Sequence, residues 1–250
     1  MQIGGLQKLS LIDYPGKLAC TVFLVGCPFR CPWCYNPRMV VPERIQDQPE
    51  ISIKDFLSFL QKRKGALDGV VLGGGEPTIN PELPDLCRAI RKMGYNLKLD
   101  TNGSNPSMLK NLIKNNLLDY VAMDVKATKE KYLMTIGLGD RLAGLGETRS
   151  KIWGDKILEN VQESIDFLKQ NNNVDYEFRT TVIPGLLTRK DIFQIAKWIS
   201  PAKKYFLQDF QSGDTVDAKF EYKKPYEREY LLEILRLIQP FFETCELRAD

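Results

Sequence analysis

Residues 19–34 read ACTVFLVGCPFRCPWC, and this stretch decides how the rest of the chain is interpreted. Its first half, ACTVFLVG, is an apolar run rich in β-branched and aromatic residues, which is typical of a buried strand. Its second half places Cys27, Cys31 and Cys34 at the spacing CxxxCxxC directly after that strand. Three thiols so close in sequence can bind one face of a metal centre, so the stretch predicts a metal site at a strand end.

The rest of the chain alternates short apolar runs with amphipathic stretches, which is the pattern of a parallel α/β sheet. The predicted strands are 19–26, 69–73, 96–100, 120–125, 174–183 and 204–210, with a last strand at 241–248. The predicted helices are 53–64, 82–93, 106–116, 156–170, 189–199 and 225–239, and four residues mark helix starts: Ser52, Pro81, Pro106 and Thr188. We therefore predict an α/β fold with parallel strands, either a partial (β/α)6 TIM-type barrel or an open doubly wound sheet.

One segment does not fit this alternation. Segment 128–155 carries four glycines and is expected to form a loop over one face of the fold: Gly137, Gly139, Gly144 and Gly146. We expect a single domain over residues 1–250, with its core at about 19–210 and a C-terminal helix and strand within 225–248.

The composition narrows the possible functions. The 250 residues include 35 Lys and Arg, 32 Asp and Glu and no His, which gives a net charge of +3. The absence of histidine excludes Ser-His-Asp and Cys-His nucleophilic catalysis and every imidazole metal site. The balanced charge gives no basic footprint for nucleic acid, and no apolar run approaches the about 20 residues that span a bilayer. We expect a cytoplasmic protein, since no secretion signal is visible, and clustered cysteines there bind metal more often than they form disulfides.

The predicted strands end in polar or glycine-rich residues. Sites in parallel α/β folds are built at the carboxyl ends of strands. After the cysteines, these ends carry Gly73-Gly74-Gly75-Glu76, Asp100-Thr101-Asn102-Gly103, Asp124 with Lys126, Arg179, and Gln208 with Asp209. We expect these groups to meet at one mouth of the sheet.

The cysteine cluster has several interpretations. The cysteines outside it are expected to be buried structural residues: Cys20, Cys87 and Cys245. A structural zinc needs four Cys or His ligands, but the chain has no histidine and no fourth cysteine near the three. A fully ligated iron–sulfur cluster would need a distant cysteine to fold back onto the site. We favour a 4Fe–4S cluster held by Cys27, Cys31 and Cys34, with the fourth iron left open.

Two motifs together resemble those of the radical S-adenosylmethionine (SAM) superfamily. One is CxxxCxxC with the aromatic Trp33 before the third cysteine, and the other is Gly74-Gly75-Glu76-Pro77. The resemblance implies that SAM binds the open iron and is cleaved by one electron to methionine and a 5′-deoxyadenosyl radical, which abstracts a hydrogen atom. It also implies that Gly74, Gly75 and Glu76 help to bind SAM, with Glu76 near its amino group. Such chemistry belongs to the cofactors and needs no histidine.

Longer stretches narrow the resemblance. The segments LIDYPGKLACTVFLVGCPFRCPWCYNP, LDTNG, YVAMDVKA and FRTTVIPG lie within residues 2–210. They are similar to glycyl-radical-enzyme activating enzymes, especially the branch that activates anaerobic ribonucleotide reductase. The resemblance implies that five residues surround SAM: Asp100, Asn102, Asp124, Lys126 and Arg179. It also implies a monovalent cation at Asp100, Thr101 and Asp124, whose hard oxygen atoms suit such an ion.

Two positions depart from the family pattern. Tyr35 stands where the family has a histidine directly after the third cysteine. A histidine on the last barrel strand of some relatives has only Gln208 or Gln211 as a substitute here. A phenol and an imidazole differ in hydrogen bonding and titration, so we expect the potential of the cluster to differ as well.

The resemblance also implies the partners. They are a glycyl-radical protein as substrate and a low-potential flavodoxin or ferredoxin as electron donor. From the balanced charge and the lack of a long apolar run, we expect no nucleic acid and no membrane as partners. Two other hypotheses stay open: a radical SAM enzyme that acts on a small molecule or peptide, and a non-catalytic zinc-binding module. Product analysis tests the first of these, and metal analysis of anaerobically purified protein tests the second.

Overall fold

The computed structural model describes residues 1–45, 50–139 and 147–248. Its centre is one eight-stranded sheet whose strands lie side by side in chain order. The strands are β1 (Ile3–Ser10), β2 (Ala19–Leu24), β3 (Gly69–Gly74), β4 (Asn96–Thr101), β5 (Tyr120–Asp124), β6 (Asp175–Val182), β7 (Ala202–Asp209) and β8 (Phe242–Arg248). β1 is antiparallel to β2, and every later pair of neighbours is parallel.

The strand order decides between the two predicted architectures. A doubly wound sheet reverses its strand order at a switch point, whereas a barrel keeps the order of the chain. Here the order runs from β1 to β8 without reversal, and within the described residues these two strands are the edges of the sheet. The fold is therefore an open barrel, and the prediction of a partial (β/α)6 TIM-type barrel with parallel strands is confirmed. β2 to β7 are the six predicted core strands, and β8 is the predicted last strand.

The sequence analysis did not predict β1. Its sequence, IGGLQKLS, contains two glycines and lacks the strict alternation that identifies a half-buried strand. The glycines allow close packing, because a Cβ on Gly4 would lie 2.6 Å from the sulfur of Met39. Here glycine marks a close contact of a strand rather than a turn. Because all eight strands share one sheet, we keep the proposal that the described residues form a single domain.

Six longer helices connect or follow the strands in the described part of the chain. They are α1 (Ile53–Lys62), α2 (Leu83–Lys92), α3 (Pro106–Lys114), α4 (Glu147–Gln170), α5 (Arg189–Ile199) and α6 (Arg228–Ile238). Short α-helical segments lie at Pro37–Val40, Pro42–Ile45 and Tyr132–Thr135, and 3₁₀ turns lie at Pro77–Ile79, Ala218–Phe220 and Gln239–Phe241. Each of the six predicted helices has a counterpart among the longer ones.

The predicted helix starts rest on capping chemistry. Ser52 and Thr188 cap α1 and α5 by accepting hydrogen bonds from main-chain amides in the first turn. Pro106 is the first residue of α3, after the capping residue Asn105. The start predicted at Pro81 was displaced, because Glu82 occupies the capping position of α2 and Pro84 lies in its first turn.

The expected loop at 128–155 is partly helical. It contains the short helix Tyr132–Thr135 and the first part of α4, which begins at 147 rather than at the predicted 156. Gly154 concealed this extension, since glycine is unfavourable inside helices. The position in α4 suits glycine because the helix packs closely against Leu133. A Cβ on residue 154 would lie 2.5 Å from the Leu133 side chain. Gly144 and Gly146 lie outside the described residues.

The sheet has two differently packed faces. On one face, buried residues such as Leu72 and Phe178 join helix residues such as Ile90 in the main apolar core. On the other face, Tyr14 and Tyr120 belong to a separate small cluster. This second face also carries the polar side chains described below, because residues alternate between the faces along each strand. In the part of the chain that is described, no helix combines the length and the apolarity needed to cross a membrane.

Candidate functional site

The cysteine loop, residues 27–36, follows β2 after two connecting residues. The amide of Cys34 donates to the carbonyl of Cys31 at 3.0 Å, which makes a tight turn between the second and third cysteines. The Sγ atom of Cys27 accepts from the amide of Phe29 at 3.4 Å and from Nδ2 of Asn102 at 3.7 Å. The loop therefore directs its first sulfur toward the end of β4, two strands away.

The three thiols lie in a poorly solvated environment. Burial raises the pKa of Cys31 to about 12 and also raises the pKa of Cys34. Burial, together with the nearby Glu76 carboxylate, raises the pKa of Cys27 well above its usual value. A metal reverses this preference, because a coordinating thiol is bound as the thiolate. Thiols with raised pKa values are poor nucleophiles by themselves, but they can serve as metal ligands because a bound metal stabilises the thiolate.

The number of cysteines at the cavity bears on the kind of metal site they suit. A structural zinc site needs four Cys or His ligands around one ion. In the part of the chain that is described, the cavity lining contains three cysteines: Cys27, Cys31 and Cys34. In an iron–sulfur cluster each thiolate binds a different iron, so three thiols in one cavity suit a cluster that keeps one iron open.

Residues that are distant in sequence hold the cysteine loop in place. The amide of Arg30 donates to the carbonyl of Ile136, and the amide of Asp217 donates to the carbonyl of Pro32, both at 2.8 Å. The Tyr35 hydroxyl accepts from the amide of Gln211, also at 2.8 Å. The loop is thus attached to the segment after β5 and to the segment after β7.

The glycines after β3 bring two strand ends into contact. The amides of Gly75 and Glu76 donate to the carbonyls of Leu24 and Gly26 at 2.8 and 2.7 Å. A Cβ on Gly75 would lie 2.0 Å from the carbonyl oxygen of Gly26. Only glycine permits this approach, which places Glu76 beside the cysteine loop.

The Glu76 carboxylate is buried and surrounded by donors. Its Oε1 atom accepts from the amide of Thr78 at 3.1 Å, from the Thr78 hydroxyl, and from the Thr101 hydroxyl at 2.7 Å. Its Oε2 atom accepts from the amide of Asn102 at 2.7 Å. Burial raises the pKa of Glu76, and these hydrogen bonds oppose that shift by favouring the carboxylate. Of the two oxygens, Oε2 has the greater remaining capacity to accept a donor.

A chain of alternating charges crosses the ends of β4, β5 and β6. Lys98 Nζ donates to Asp100 Oδ1 at 2.7 Å, and Arg179 NH1 donates to Asp100 Oδ2 at 3.2 Å. Arg179 Nε donates to Asp124 Oδ1, and Lys126 Nζ donates to Asp124 Oδ2, both at 2.8 Å. Asp124 and Arg179 are direct partners in the register of β5 and β6. The strand register therefore fixes the ion pair at the centre of this row of charges.

These pairs keep the side chains charged despite burial. Burial alone would favour neutral carboxyl groups, but Arg179 and Lys98 lower the pKa of Asp100. Arg179 and Lys126 likewise overcome burial and hold the pKa of Asp124 at about 2. In turn, Asp100 and Asp124 outweigh burial and raise the pKa of Arg179, and Asp124 outweighs burial and raises the pKa of Lys126 together with the nearby cysteine thiolates. The site thus presents fixed charges that do not titrate near neutral pH.

One cavity of about 360 Å³ gathers these groups at the carboxyl ends of the strands. Its volume lies in the roughly 300–1,000 Å³ range of small-molecule sites. Every residue predicted to bind the cluster, SAM or a cation lines it: Cys27, Cys31, Cys34, Gly74, Gly75, Glu76, Asp100, Thr101, Asn102, Asp124, Lys126 and Arg179. Gln208 also lines the cavity, whereas the amide of Gln211 contacts Tyr35.

The sequence analysis missed two participants in this site. Lys98 pairs with Asp100, and Asp13 lines the cavity while its carbonyl oxygen accepts from Lys98 Nζ at 2.6 Å. A signal for Lys98 was present, because it lies two residues before Asp100 and therefore on the same face of the strand. A lysine within the buried run NLKLD needs a partner. Asp13 lies in the stretch LIDYPG ahead of the cysteines, but none of its sequence neighbours indicated that it would reach the cavity.

Known proteins share both sequence and fold with this chain. Residues 21–199 match the sequence profile described as the radical SAM superfamily. A Methanocaldococcus jannaschii protein, provisionally named a glycyl-radical enzyme activating enzyme, is 32% identical over 249 residues, 99% of this chain and 95% of that protein. The pyruvate formate-lyase-activating enzyme of Clostridium pasteurianum is 25% identical over 193 residues, 70% of this chain and 79% of that enzyme.

A solved structure shows the same fold at low sequence identity. Streptococcus suis SuiB, whose structure was solved with SAM bound, aligns with a TM-score of 0.62 and 12% identity. The alignment covers 91% of this chain but 48% of SuiB, so the chain spans about half of that protein. At this identity the likeness is one of fold alone.

Proposed function

The chain belongs to the radical SAM superfamily, and from that membership we propose that it is an activating enzyme that generates a glycyl radical on a partner protein. It is a radical SAM enzyme whose relatives include proteins named as glycyl-radical enzyme activating enzymes. The similarity to the Methanocaldococcus jannaschii relative extends over nearly the whole of both chains. One observation carries the proposal. A single cavity is lined by the three thiols, by Glu76 and by the ion-paired side chains at the ends of β4, β5 and β6.

The donor set fits the cofactors that the family uses. Cys27, Cys31 and Cys34 would hold a 4Fe–4S cluster by three irons, since the three thiols line one cavity and each thiolate of such a cluster binds a different iron. When bound, the cluster and SAM supply reductive cleavage of SAM and abstraction of a hydrogen atom from the substrate. The chain contributes binding, orientation and exclusion of water. Trp33, which is buried beside the cavity with Lys126 over its ring at 5.0 Å, would shield the cluster from solvent.

Glu76 would orient the methionine part of SAM. Its Oε1 atom already accepts three hydrogen bonds, whereas its Oε2 atom accepts one from Asn102. An ammonium group can therefore donate to Oε2 without displacing a protein donor. The fixed position of the carboxylate limits the orientations that this ammonium group can take.

The row of ion-paired side chains across β4, β5 and β6 would orient the rest of SAM. Arg179 joins Asp100 to Asp124, so the three side chains form a rigid unit across three strand ends. Lys126 extends this unit toward the cysteine loop, where it lies over Trp33. Residues held on strands by mutual ion pairs retain their geometry better than residues on free loops.

The proposed partner is a glycyl-radical protein of the anaerobic ribonucleotide reductase kind. The electron would come from a low-potential flavodoxin or ferredoxin. The relatives named as glycyl-radical enzyme activating enzymes support the first part, and the cluster chemistry of the family requires a reductant of this kind.

The test is anaerobic reconstitution with iron and sulfide, followed by incubation with SAM and dithionite. We expect 5′-deoxyadenosine to form, and we expect a glycine-centred EPR doublet when a glycyl-radical protein is added. A partner with its radical-bearing glycine replaced by alanine is the matched control and should give no doublet. Absence of 5′-deoxyadenosine under all conditions would reject SAM cleavage. Its formation without a doublet on any glycyl-radical protein would favour a small molecule or peptide as substrate.

A further inference from the structure

Lys98 is a buried cation inside the barrel. It lies on β4, and its side chain is 2% exposed. Its ammonium group donates to Oδ1 of Asp100 at 2.7 Å and to the carbonyl oxygen of Asp13 at 2.6 Å. Carboxylate and carbonyl oxygens are also the ligands that a hard metal cation prefers. The Nζ atom thus occupies a position with the coordination chemistry of a monovalent ion.

The ligands implied for a cation beside SAM are already engaged. Each of the four carboxylate oxygens of Asp100 and Asp124 accepts a hydrogen bond from a basic side chain. The Thr101 hydroxyl donates to Glu76 at 2.7 Å and accepts from the amide of Gly103 at 3.1 Å. A metal ion at these residues would have to share each carboxylate oxygen with a basic side chain, and the neighbouring positive charges would repel each other.

The two carboxylates implied as cation ligands also have basic partners already. Asp100 is paired with Lys98 and Arg179, and Asp124 is paired with Arg179 and Lys126. These two carboxylates therefore share three basic side chains and need no metal ion to compensate their charge. Removal of Lys98 would take one positive charge away from Asp100, and a monovalent cation would supply it again.

We propose that the ammonium group of Lys98 replaces the monovalent cation that the family resemblance implies, so that SAM binding in this protein is independent of sodium and potassium ions. The inference rests on the proposed function in that SAM is the ligand beside Asp100. Lys98 acts as a positioning residue, because it holds Asp100 and reaches SAM only through that carboxylate.

The first experiment measures SAM affinity of the anaerobically reconstituted protein in potassium, sodium or choline chloride at equal ionic strength. The wild-type affinity should agree within about twofold in all three salts. Lys98→Ala should bind SAM about tenfold or more weakly in choline chloride, since a charged hydrogen bond to Asp100 is lost. Potassium should restore most of that affinity, because the smaller side chain frees both oxygens for an ion. Lys98→Met should be weak in every salt, because its side chain fills the space without supplying charge.

Two controls make the result specific. Lys110→Ala removes a lysine that pairs with Glu163 on the surface and should leave SAM affinity unchanged in each salt. Crystals soaked in thallium(I), a potassium mimic, should show an anomalous peak beside Asp100 in Lys98→Ala and none there in the wild type. This readout does not depend on SAM cleavage.

Other outcomes would separate this inference from the proposed function. A wild-type protein that needs potassium or sodium to bind SAM, or that binds thallium(I) at Asp100, would overturn the role of Lys98. Equal SAM affinity of Lys98→Ala in all salts would also overturn it. The wild-type measurements decide the question even if the alanine variant does not fold. Failure to cleave SAM in any salt would instead reject the proposed function.

Discussion

The main-chain amide of Arg30, in the centre of the cysteine loop, donates a hydrogen bond to the carbonyl oxygen of Ile136 at 2.8 Å. Ile136 ends the short helix Tyr132–Thr135, and Gly137 follows it with φ at +71°. A Cβ on Gly137 would lie 1.8 Å from the carbonyl oxygen of Arg30. The geometry of the loop between Cys27 and Cys31 therefore depends on a glycine that is far away in sequence.

Gly137→Ala should impair cluster binding although it alters no ligand. The left-handed backbone alone costs about 1–2 kcal/mol for a residue with a Cβ, and the contact with Arg30 would force the loop to move. We expect much less iron and sulfide per protein after reconstitution. Gly139→Ala is the matched control, because a Cβ there meets its nearest neighbour, Met134, at an ordinary 3.6 Å. Equal iron content in both variants would show that the contact is not needed.

Cys31→Ala should abolish cluster assembly and all cleavage of SAM. A three-thiolate cluster that loses one ligand has two irons without a protein thiolate, and nothing in the described cavity offers a replacement sulfur. The measurement is iron and sulfide content together with formation of 5′-deoxyadenosine. Cys245→Ala removes a buried cysteine of β8 that does not line the cavity, and it should retain both properties. SAM cleavage by the Cys31 variant would refute the ligand assignment.

Glu76→Gln should weaken SAM binding while it leaves the cluster intact. The amide retains one oxygen acceptor but turns an NH2 group toward donors that surround the carboxylate. Loss of a charged hydrogen bond costs about 1.5–3 kcal/mol, so the dissociation constant should rise by about tenfold to a hundredfold. Glu82→Gln, at the exposed start of α2, is the control and should bind SAM normally. Loss of iron from the Glu76 variant would instead indicate a role in holding the loop.

Local signals explain how much of the fold could be predicted. The caps at Ser52 and Thr188 and the apolar runs of β2 to β7 are contained within short windows of sequence, and these elements formed as predicted. β1 and the first part of α4 were missed for the opposite reason. Glycine is unfavourable inside strands and helices, so Gly4 and Gly154 argue against a strand and a helix at these positions. Each nevertheless makes room for a side chain from elsewhere in the chain: Met39 packs against Gly4 and Leu133 packs against Gly154. Such contacts do not exist until the tertiary structure forms.

The same distinction applies to the site. The spacing of the cysteines and the motif at Gly74 to Glu76 identified residues that the structure brings to one cavity. Lys98 has one partner, Asp100, only two residues away, but its second partner, the Asp13 carbonyl, comes from a distant part of the chain and could not be read from the local sequence. The hydrogen bond from the amide of Gln211 to the Tyr35 hydroxyl was likewise invisible in sequence. Family motifs identify ligands, whereas long-range hydrogen bonds identify the residues that hold them.

The capping box of α5 predicts a pH-dependent contribution to stability. Asp191 is 5% exposed, and its Oδ2 atom accepts from the amide of Thr188 and from Lys131 Nζ, both at 2.8 Å. Burial alone would raise its pKa, but the hydrogen bonds from Lys131 and Thr188 outweigh burial and lower it. A carboxyl whose pKa is lower in the folded state stabilises the fold fully above its unfolded pKa of about 3.9. That stabilisation is lost as the pH falls through the folded pKa.

Asp191→Asn should therefore lower the free energy of unfolding by about 1–2 kcal/mol at neutral pH. The difference from the wild type should stay constant down to about pH 5 and narrow only below about pH 4, where the wild-type carboxyl also loses its charge. Urea unfolding at a series of pH values, followed by intrinsic fluorescence under anaerobic conditions, measures both quantities. Asp85→Asn removes a largely exposed carboxylate that pairs with Arg88 in α2, and it should change stability little at any of these pH values. A difference for Asp191→Asn that grew toward low pH would contradict this account, because it would mean that protonated Asp191 stabilises the fold more than the ionised form does.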